Sequence, residues 1–389
     1  MFTIQTLNKI SAVGLAQLDA AKYTCTDAAD APDGVLVRSA AMHDMTLPSS
    51  LLAIARAGAG VNNIPVDRCT EQGVVVFNTP GANANAVKEL VIAGLLLSSR
   101  KIVAGCNWAA GLAGQGDVAK LVEKGKSSFV GPEIAGKKLG VIGLGAIGVL
   151  VANAATHLNM EVYGYDPYLS VHHAWSLSRS VKPAKSADEI FAACDYITIH
   201  VPLTSETKHM VNAASIAKMK DGVRILNFAR GDLVADDDIL TAVQSGRVGC
   251  YVTDFPNEKL IGVDGVIAIP HLGASTPESE ENCAEMAAQE LAAYLEDGNI
   301  RNSVNFPDAE LPRSAGTTRV CIMHQNIPQM LNRITQVFAE QNIAHLLNKS
   351  RKDIAYTLID LDGAVSASLL DQIEQAEGVL RVRVLAAQA

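Results

Sequence analysis

Through the first three hundred residues, short apolar runs alternate with stretches whose apolar positions recur at helical spacing. Met1 to Leu7, Gly34 to Val37, Leu51 to Ala55 and Val74 to Phe77 have the length and composition of strands, and Ala84 to Leu97 follows with a helical pattern. A second series begins near Lys138, with strand Leu139 to Ile142, helix Ala146 to Leu158 and strand Val162 to Tyr165. Strands Tyr196 to Ile199, Arg224 to Asn227, Cys250 to Thr253 and Val266 to Ile269 continue it. Continuous apolar strands separated by helices predict parallel sheets with crossover helices, here two α/β units in tandem. A long helix follows: Ser275 or Thr276 caps it, Pro277 fits its first turn, and Glu278, Glu280 and Glu281 suit its positive end.

Beyond Gly298 the rhythm changes. Asn305-Phe306-Pro307 and Leu311 to Gly316 read as an irregular linker. Strand Arg319 to Met323, helix Pro328 to Gln341, strands near Leu346 and at Ile354 to Leu361, helix Leu369 to Gln375 and strand Val379 to Val384 then give the order βαββαβ. That order is ferredoxin-like. The expected architecture is α/β: two doubly wound domains and a small C-terminal module.

A chain of 389 residues has room for this at about 150 residues per domain. With 49% hydrophobic and 19% charged residues it is not a disordered chain. A net charge of −9 and 5% aromatics argue against nucleic acid as a partner. Seven scattered cysteines without a C-x-x-C indicate neither disulfide framework nor zinc site, so no metal and a reduced cytoplasmic setting are expected. Leu139 to Ala155, the longest charge-free apolar stretch, is interrupted by four glycines and does not read as a membrane span.

Gly143-Leu144-Gly145-Ala146-Ile147-Gly148 places G-x-G-x-x-G between a strand and a helix. The first glycine permits a tight turn, the second admits a diphosphate to the backbone, and the third lets helix and strand pack closely. Asp166 ends the next strand, 18 positions after Gly148, where it suits a ribose 2′-hydroxyl. Its neighbours Pro167 and Tyr168 offer no cation for a 2′-phosphate, which favours NAD over NADP.

Three polar residues follow later strands of the same half: Arg230, Glu258 and His271. In an open α/β sheet, ligands bind beyond the carboxyl ends of the strands. Oxidising a hydroxyl by hydride transfer requires a base for its proton, and an imidazole fits that role near neutral pH. A carboxylate orients the imidazole, and a guanidinium matches a substrate carboxylate.

With these residues the sequence resembles the D-isomer-specific 2-hydroxyacid dehydrogenases, in particular their D-3-phosphoglycerate dehydrogenase branch. Matching segments are Val37-Arg38-Ser39, Arg56 to Asn63, Asn78 to Asn83, the glycine loop, His200 to Thr204, Ala229-Arg230-Gly231 and His271 to Thr276. The resemblance implies an NAD-dependent, reversible oxidation of 3-phosphoglycerate to 3-phosphohydroxypyruvate. Arg230, Glu258 and His271 would be its catalytic trio. Alternatives are the same chemistry on D-lactate or glycerate and, more remotely, a non-catalytic NAD-sensing scaffold. Implied cofactor contacts are Gly143, Gly145, Ala146, Ile147, Gly148, Asp166, His200, Pro202, Thr207, Ala229, Asp254, His271 and Gly273. Implied substrate contacts are Arg38, Ser39, Gly60, Val61, Asn83, Arg230 and His271, and Lys126 stands where some relatives carry a basic phosphate ligand.

The same resemblance implies a discontinuous substrate domain of residues 1–97 and 284–306 around an NAD domain of residues 98–283. A linker at 307–317 and an ACT-like regulatory module at 318–389 complete the chain, which would form a homodimer or homotetramer. In that module His324, Asn326 and Asn342 match residues that bind an L-serine effector. However, Gln329 replaces the motif's glycine, which counts against serine and leaves a dimerising role. Thr253 stands where many relatives carry an Asp, and only 13 positions separate Glu258 from His271.

Overall fold

The computed structural model describes residues 1–387. It divides into two compact units, residues 1–82 together with the chain from Glu280 on, and residues 83–279.

In the first unit, β1 (Phe2–Leu7), β2 (Tyr23–Thr26), β3 (Gly34–Val37), β4 (Ala53–Arg56) and β5 (Val75–Phe77) form a parallel sheet in the order β2-β1-β3-β4-β5. Helix Pro277–Asp297 turns Ala284, Ala287, Ala288, Leu291 and Leu295 into a core with Ile4, Leu36, Ala53 and Phe77. Small side chains permit the close approach: a Cβ on Gly14 would stand 2.4 Å from that of Ala284.

The second unit holds seven parallel strands in the order β12-β11-β10-β9-β6-β7-β8. They are β6 (Lys138–Ile142), β7 (Glu161–Tyr165), β8 (Lys182–Pro183), β9 (Tyr196–Ile199), β10 (Val223–Asn227), β11 (Val248–Thr253) and β12 (Val266–Ala268). Strand order reverses between β6 and β9, the switch point at which doubly wound sheets open a crevice. Helix Ala84–Arg100 buries Val87, Val91 and Leu95 against Leu226, Phe228 and Val252. Gly94 lets it lie on β10, since a Cβ there would sit 3.0 Å from the Phe228 ring. The first unit therefore ends at Ala82, and the helix read as its last element belongs to the second core.

The C-terminal part of the first unit contains β13 (Thr317–Gln325), β14 (Ile343–Arg351), β15 (Ile354–Asp362) and β16 (Val379–Leu385), antiparallel in the order β14-β15-β13-β16. Helices Met330–Val337 and Ala367–Glu374 complete βαββαβ, the first of them shorter than the sequence pattern predicts. Val320 and Ile322 face these helices with Met330, Ile334 and Phe338. The alternate residues Cys321 and Met323 join the core of the parallel sheet with Tyr294 and Phe306. Period-2 alternation thus buries both faces of β13. The connecting segment is pinned at both ends. Ile300 and Ala309 exchange backbone hydrogen bonds of 2.9 and 2.8 Å, and Leu311 N donates to Asn299 Oδ1 at 3.0 Å. Among the described residues no helix is long and apolar enough to cross a membrane.

Candidate active site

The glycine turn leaves β6 at Gly143, whose φ is +91°. A Cβ there would stand 2.5 Å from the His200 carbonyl oxygen, so conformation and space both demand glycine. A Cβ on Gly148 would stand 1.9 Å from the Gly143 oxygen. At Gly145 an added Cβ meets nothing within 4 Å, and helix Ala146–His157 begins there without a side-chain cap. Open space in front of uncapped N–H groups, at the positive end of a 12-residue helix, suits a diphosphate. These residues therefore fit a dinucleotide.

Asp166, just past β7, is held by two backbone donors, Leu144 N to Oδ2 and Tyr168 N to Oδ1, each at 2.8 Å. Its carboxylate is thereby fixed beside the glycine turn. After β9, His200 Nε2 lies 2.9 Å from Thr198 Oγ1, while its Nδ1 is buried without a partner. Burial draws the imidazole down to about 4, so the ring is neutral at physiological pH. The next loop is closed by Thr207, whose hydroxyl donates to the Pro202 carbonyl at 2.6 Å and accepts from Thr204 N at 2.8 Å.

The loops after β10, β11 and β12 meet around Phe255. A Cβ on Gly231, next to Arg230, would touch the Phe255 Cβ at 3.4 Å, and the Phe255 ring meets His271 edge-on with centroids 4.8 Å apart. Asn227, wholly buried at the end of β10, shapes the first loop: its Nδ2 donates to the Arg230 carbonyl at 2.8 Å and its Oδ1 accepts from Ala229 N at 3.2 Å. Arg230 itself is exposed and donates to the Ala229 carbonyl at 2.6 Å.

Asp254 is 1% exposed, and neither carboxylate oxygen has a hydrogen-bond partner within normal distance. Gly273 packs against it, a Cβ there falling 3.3 Å from Oδ2. Burial raises the Asp254 carboxyl, opposed first by the charge of His271, then by the N–H groups of Gly273 and Asp254 itself, and by Arg230. The loops that carry Arg230, Asp254 and His271 therefore meet, with Gly231 and His271 both packed on Phe255, the residue after Asp254. Glu258, three residues past Phe255, is exposed and makes no hydrogen bond or ion pair among the described residues.

The remaining sequence-marked residues divide by unit. In the first, Arg38 pairs with Glu280 at 2.5 Å, both side chains more than 40% exposed. Ser39 N donates to Asn8 Oδ1 at 3.0 Å, and Gly60 and Val61 lie in the loop after β4. In the second, Asn83 precedes helix Ala84–Arg100 without using its side chain as a cap, and Lys126 is an exposed partner of Glu123.

In the C-terminal module His324 is buried with both ring nitrogens engaged, Nδ1 at 2.8 Å from the Gln325 carbonyl and Nε2 at 2.8 Å from Thr357 Oγ1. Asn326 donates to the Lys352 carbonyl at 3.0 Å and Asn342 to Asp362 at 2.6 Å. Gln329 adopts the left-handed conformation, φ +64°. The sequence marks Asn227 only as a strand end and Glu280 only as a helix-start acid, and gives no sign of their bonds to Arg230 and Arg38: one works through a local turn, the other across 242 residues.

Residues 96–273 match the family model for the D-isomer specific 2-hydroxyacid dehydrogenase, NAD binding domain. The chain is 33% identical over 349 residues to a D-3-phosphoglycerate dehydrogenase of Haemophilus influenzae, covering 86% of this chain and 81% of that one. It is 33% identical over 350 residues to the Escherichia coli enzyme of the same name, covering 86% and 82%. Among solved structures it resembles an NAD-bound 3-phosphoglycerate dehydrogenase of Entamoeba histolytica, with TM-score 0.59, 24% identity and coverage of 78% and 98%. A glyoxylate reductase with TM-score 0.64, 24% identity and the same coverage shares the fold as well. Similarity of this length, falling on a chain whose glycine turn and three converging loops have the geometry just described, makes it a member of the D-isomer-specific 2-hydroxyacid dehydrogenases.

Proposed function

We propose that the protein oxidises D-3-phosphoglycerate to 3-phosphohydroxypyruvate, reversibly, with NAD. The observation that carries this reading is the packing of Gly231 and His271, from the loops after β10 and β12, around Phe255 next to buried Asp254, in a sheet whose glycine turn is open at Gly145. Similarity to D-3-phosphoglycerate dehydrogenases supports the substrate.

NAD, when bound, supplies the acceptor for the hydride leaving C2. Gly145 and the helix start at Ala146 and Ile147 receive the diphosphate, and Asp166 accepts from the adenosine ribose. Arg230 binds the substrate carboxylate and polarises the C2 oxygen. His271 takes the hydroxyl proton as the hydride departs and returns it in the reverse direction. Family resemblance makes Glu258 its partner, whereas the charge that bears on Asp254 most strongly in this fold is that of His271. Arg38, with Ser39, Gly60 and Val61, is the proposed holder of the phosphate end, and Asn83 a further contact.

Three wider readings accompany it. Helix Ile102–Ala110 is largely apolar yet buries no residue, which supports a homo-oligomer. An L-serine effector has less support, because His324 is fully engaged and Gln329 carries a side chain at the motif's glycine. Free cysteines fit a cytoplasmic enzyme.

The test is NADH absorbance at alkaline pH with NAD and 3-phosphoglycerate, beside D-lactate and glycerate. No signal with 3-phosphoglycerate and good turnover of either other acid rejects the substrate. Inactivity with all three favours the scaffold reading. The substitution His271→Asn is expected to lower turnover by about 10²- to 10⁴-fold.

A further inference from the structure

The first unit contains an open cavity of about 590 Å³. Its walls are the turn after β5 (Asn78), the segment Asn302 to Asp308, and the end of β14 (Lys349, Ser350 and Arg351). Two cations face one acid, Asp308, and the remaining polar lining is Asn and Ser. Arg351 is anchored, its Nη1 donating to the Ser303 carbonyl at 2.8 Å. Lys349 makes no ion pair among the described residues. Asn302, in the left-handed conformation, is held by Glu290 at 2.6 Å. The lining is thus fixed by bonds behind it and leaves Lys349 unused. The volume is that of a small-molecule site.

We propose that this cavity binds a small anion carrying a hydroxyl, a phosphate or hydroxylated carboxylate, with Lys349 and Arg351 on the charge and Asp308 accepting from the hydroxyl. Asn78 connects the cavity to the loop after β4. Its Nδ2 donates to the Ala59 carbonyl at 2.6 Å and its backbone N reaches the Asn302 carbonyl at 3.4 Å. An anion that moves Asn78 therefore moves the segment containing Gly60 and Val61. This second consequence rests on the reading that those residues hold substrate, whereas binding itself does not.

The probe is inorganic phosphate, titrated against chloride at matched ionic strength and followed by the melting temperature of the full chain without NAD or substrate. A ligand at about twenty times its Kd raises the melting point of a unit of this size by about 4 to 7 °C. The rise is expected in the wild type and in Arg38→Ala, lost in Lys349→Ala, restored in Lys349→Arg, and enlarged in Asp308→Asn. No rise in the wild type, or an equal one in Lys349→Ala, overturns the site. For the coupling, phosphate is expected to change the KM of the wild type and not that of Lys349→Ala, whose basal kcat stays normal. Binding lost in Lys349→Ala with an equal phosphate effect on KM in both proteins overturns the coupling alone. An enzyme inactive on every hydroxy acid overturns the proposed reaction and leaves the binding result standing.

Discussion

Glu290 lies on the inner face of helix Pro277–Asp297, 6% exposed, with Oε1 accepting from Asn302 Nδ2 at 2.6 Å and Oε2 buried without a partner. Burial pushes its carboxyl up to about 8, and nearby Asp308 adds to this, while the Asn302 bond and Arg301 oppose it. The folded chain therefore holds a proton there that the unfolded chain, with an ordinary value of 4.5, releases. Since the unfolded state binds fewer protons between those values, stability falls as pH rises through that window. At 1.36 kcal/mol per pH unit the gap amounts to about 5 kcal/mol, absent below pH 4.5 and fully felt above pH 8. Replacing Glu290 by Gln keeps an acceptor for Asn302 and removes the titration.

Both tryptophans, Trp108 and Trp175, lie in residues 83–279, so fluorescence follows the other unit and serves as a control. Amide exchange of the β1 to β5 peptides reads the first unit. Wild type and Glu290→Gln compared at equal pH share the same intrinsic exchange rates. Similar protection is expected at pH 5, with the variant better protected at pH 9. Superimposable protection at both pH values would refute a protonated, buried Glu290.

Replacing Asp254 by Asn removes a buried negative charge beside the loops of Arg230 and His271 and should lower kcat/KM for hydroxyacid oxidation. An unchanged kcat/KM beside a lowered one in Glu258→Gln would return the role to Glu258. Arg319 and Asp360 form a fully buried bidentate pair at 2.6 and 2.8 Å, and Arg319 also donates to the carbonyls of Asp297, Leu311 and Pro312. Asp360→Ala should cost about 3 to 5 kcal/mol in denaturant unfolding of the first unit, and a loss below 1 kcal/mol would contradict this. Gln329→Gly relieves a left-handed side chain and should stabilise that unit by about 0.5 to 1 kcal/mol, whereas destabilisation would show that the side chain contributes more than its conformation costs.

Much of the fold was legible because it rests on local pattern. Strands such as β3, β5 and β9 are buried on two faces and so appear as apolar runs, whereas the exposed β2 and β8 at the sheet edges leave no such pattern, and the glycine turn is dictated by three positions where a Cβ has no room or would fill the diphosphate's place. Arg230, Glu258 and His271 stand out in the sequence as candidates by their order after strands. Only tertiary structure decided that Asp254, one residue past the end of β11, is buried. The same holds for the pairing of Arg38 with Glu280 and for the burial of Glu290. Helix Ala84–Arg100 was correctly seen as a helix, but its apolar stripe fits either core, and the space beside Gly94 assigns it to the second. Periodicity specifies that a face will be buried. Which partner buries it depends on shape and charge arriving from residues hundreds of positions away.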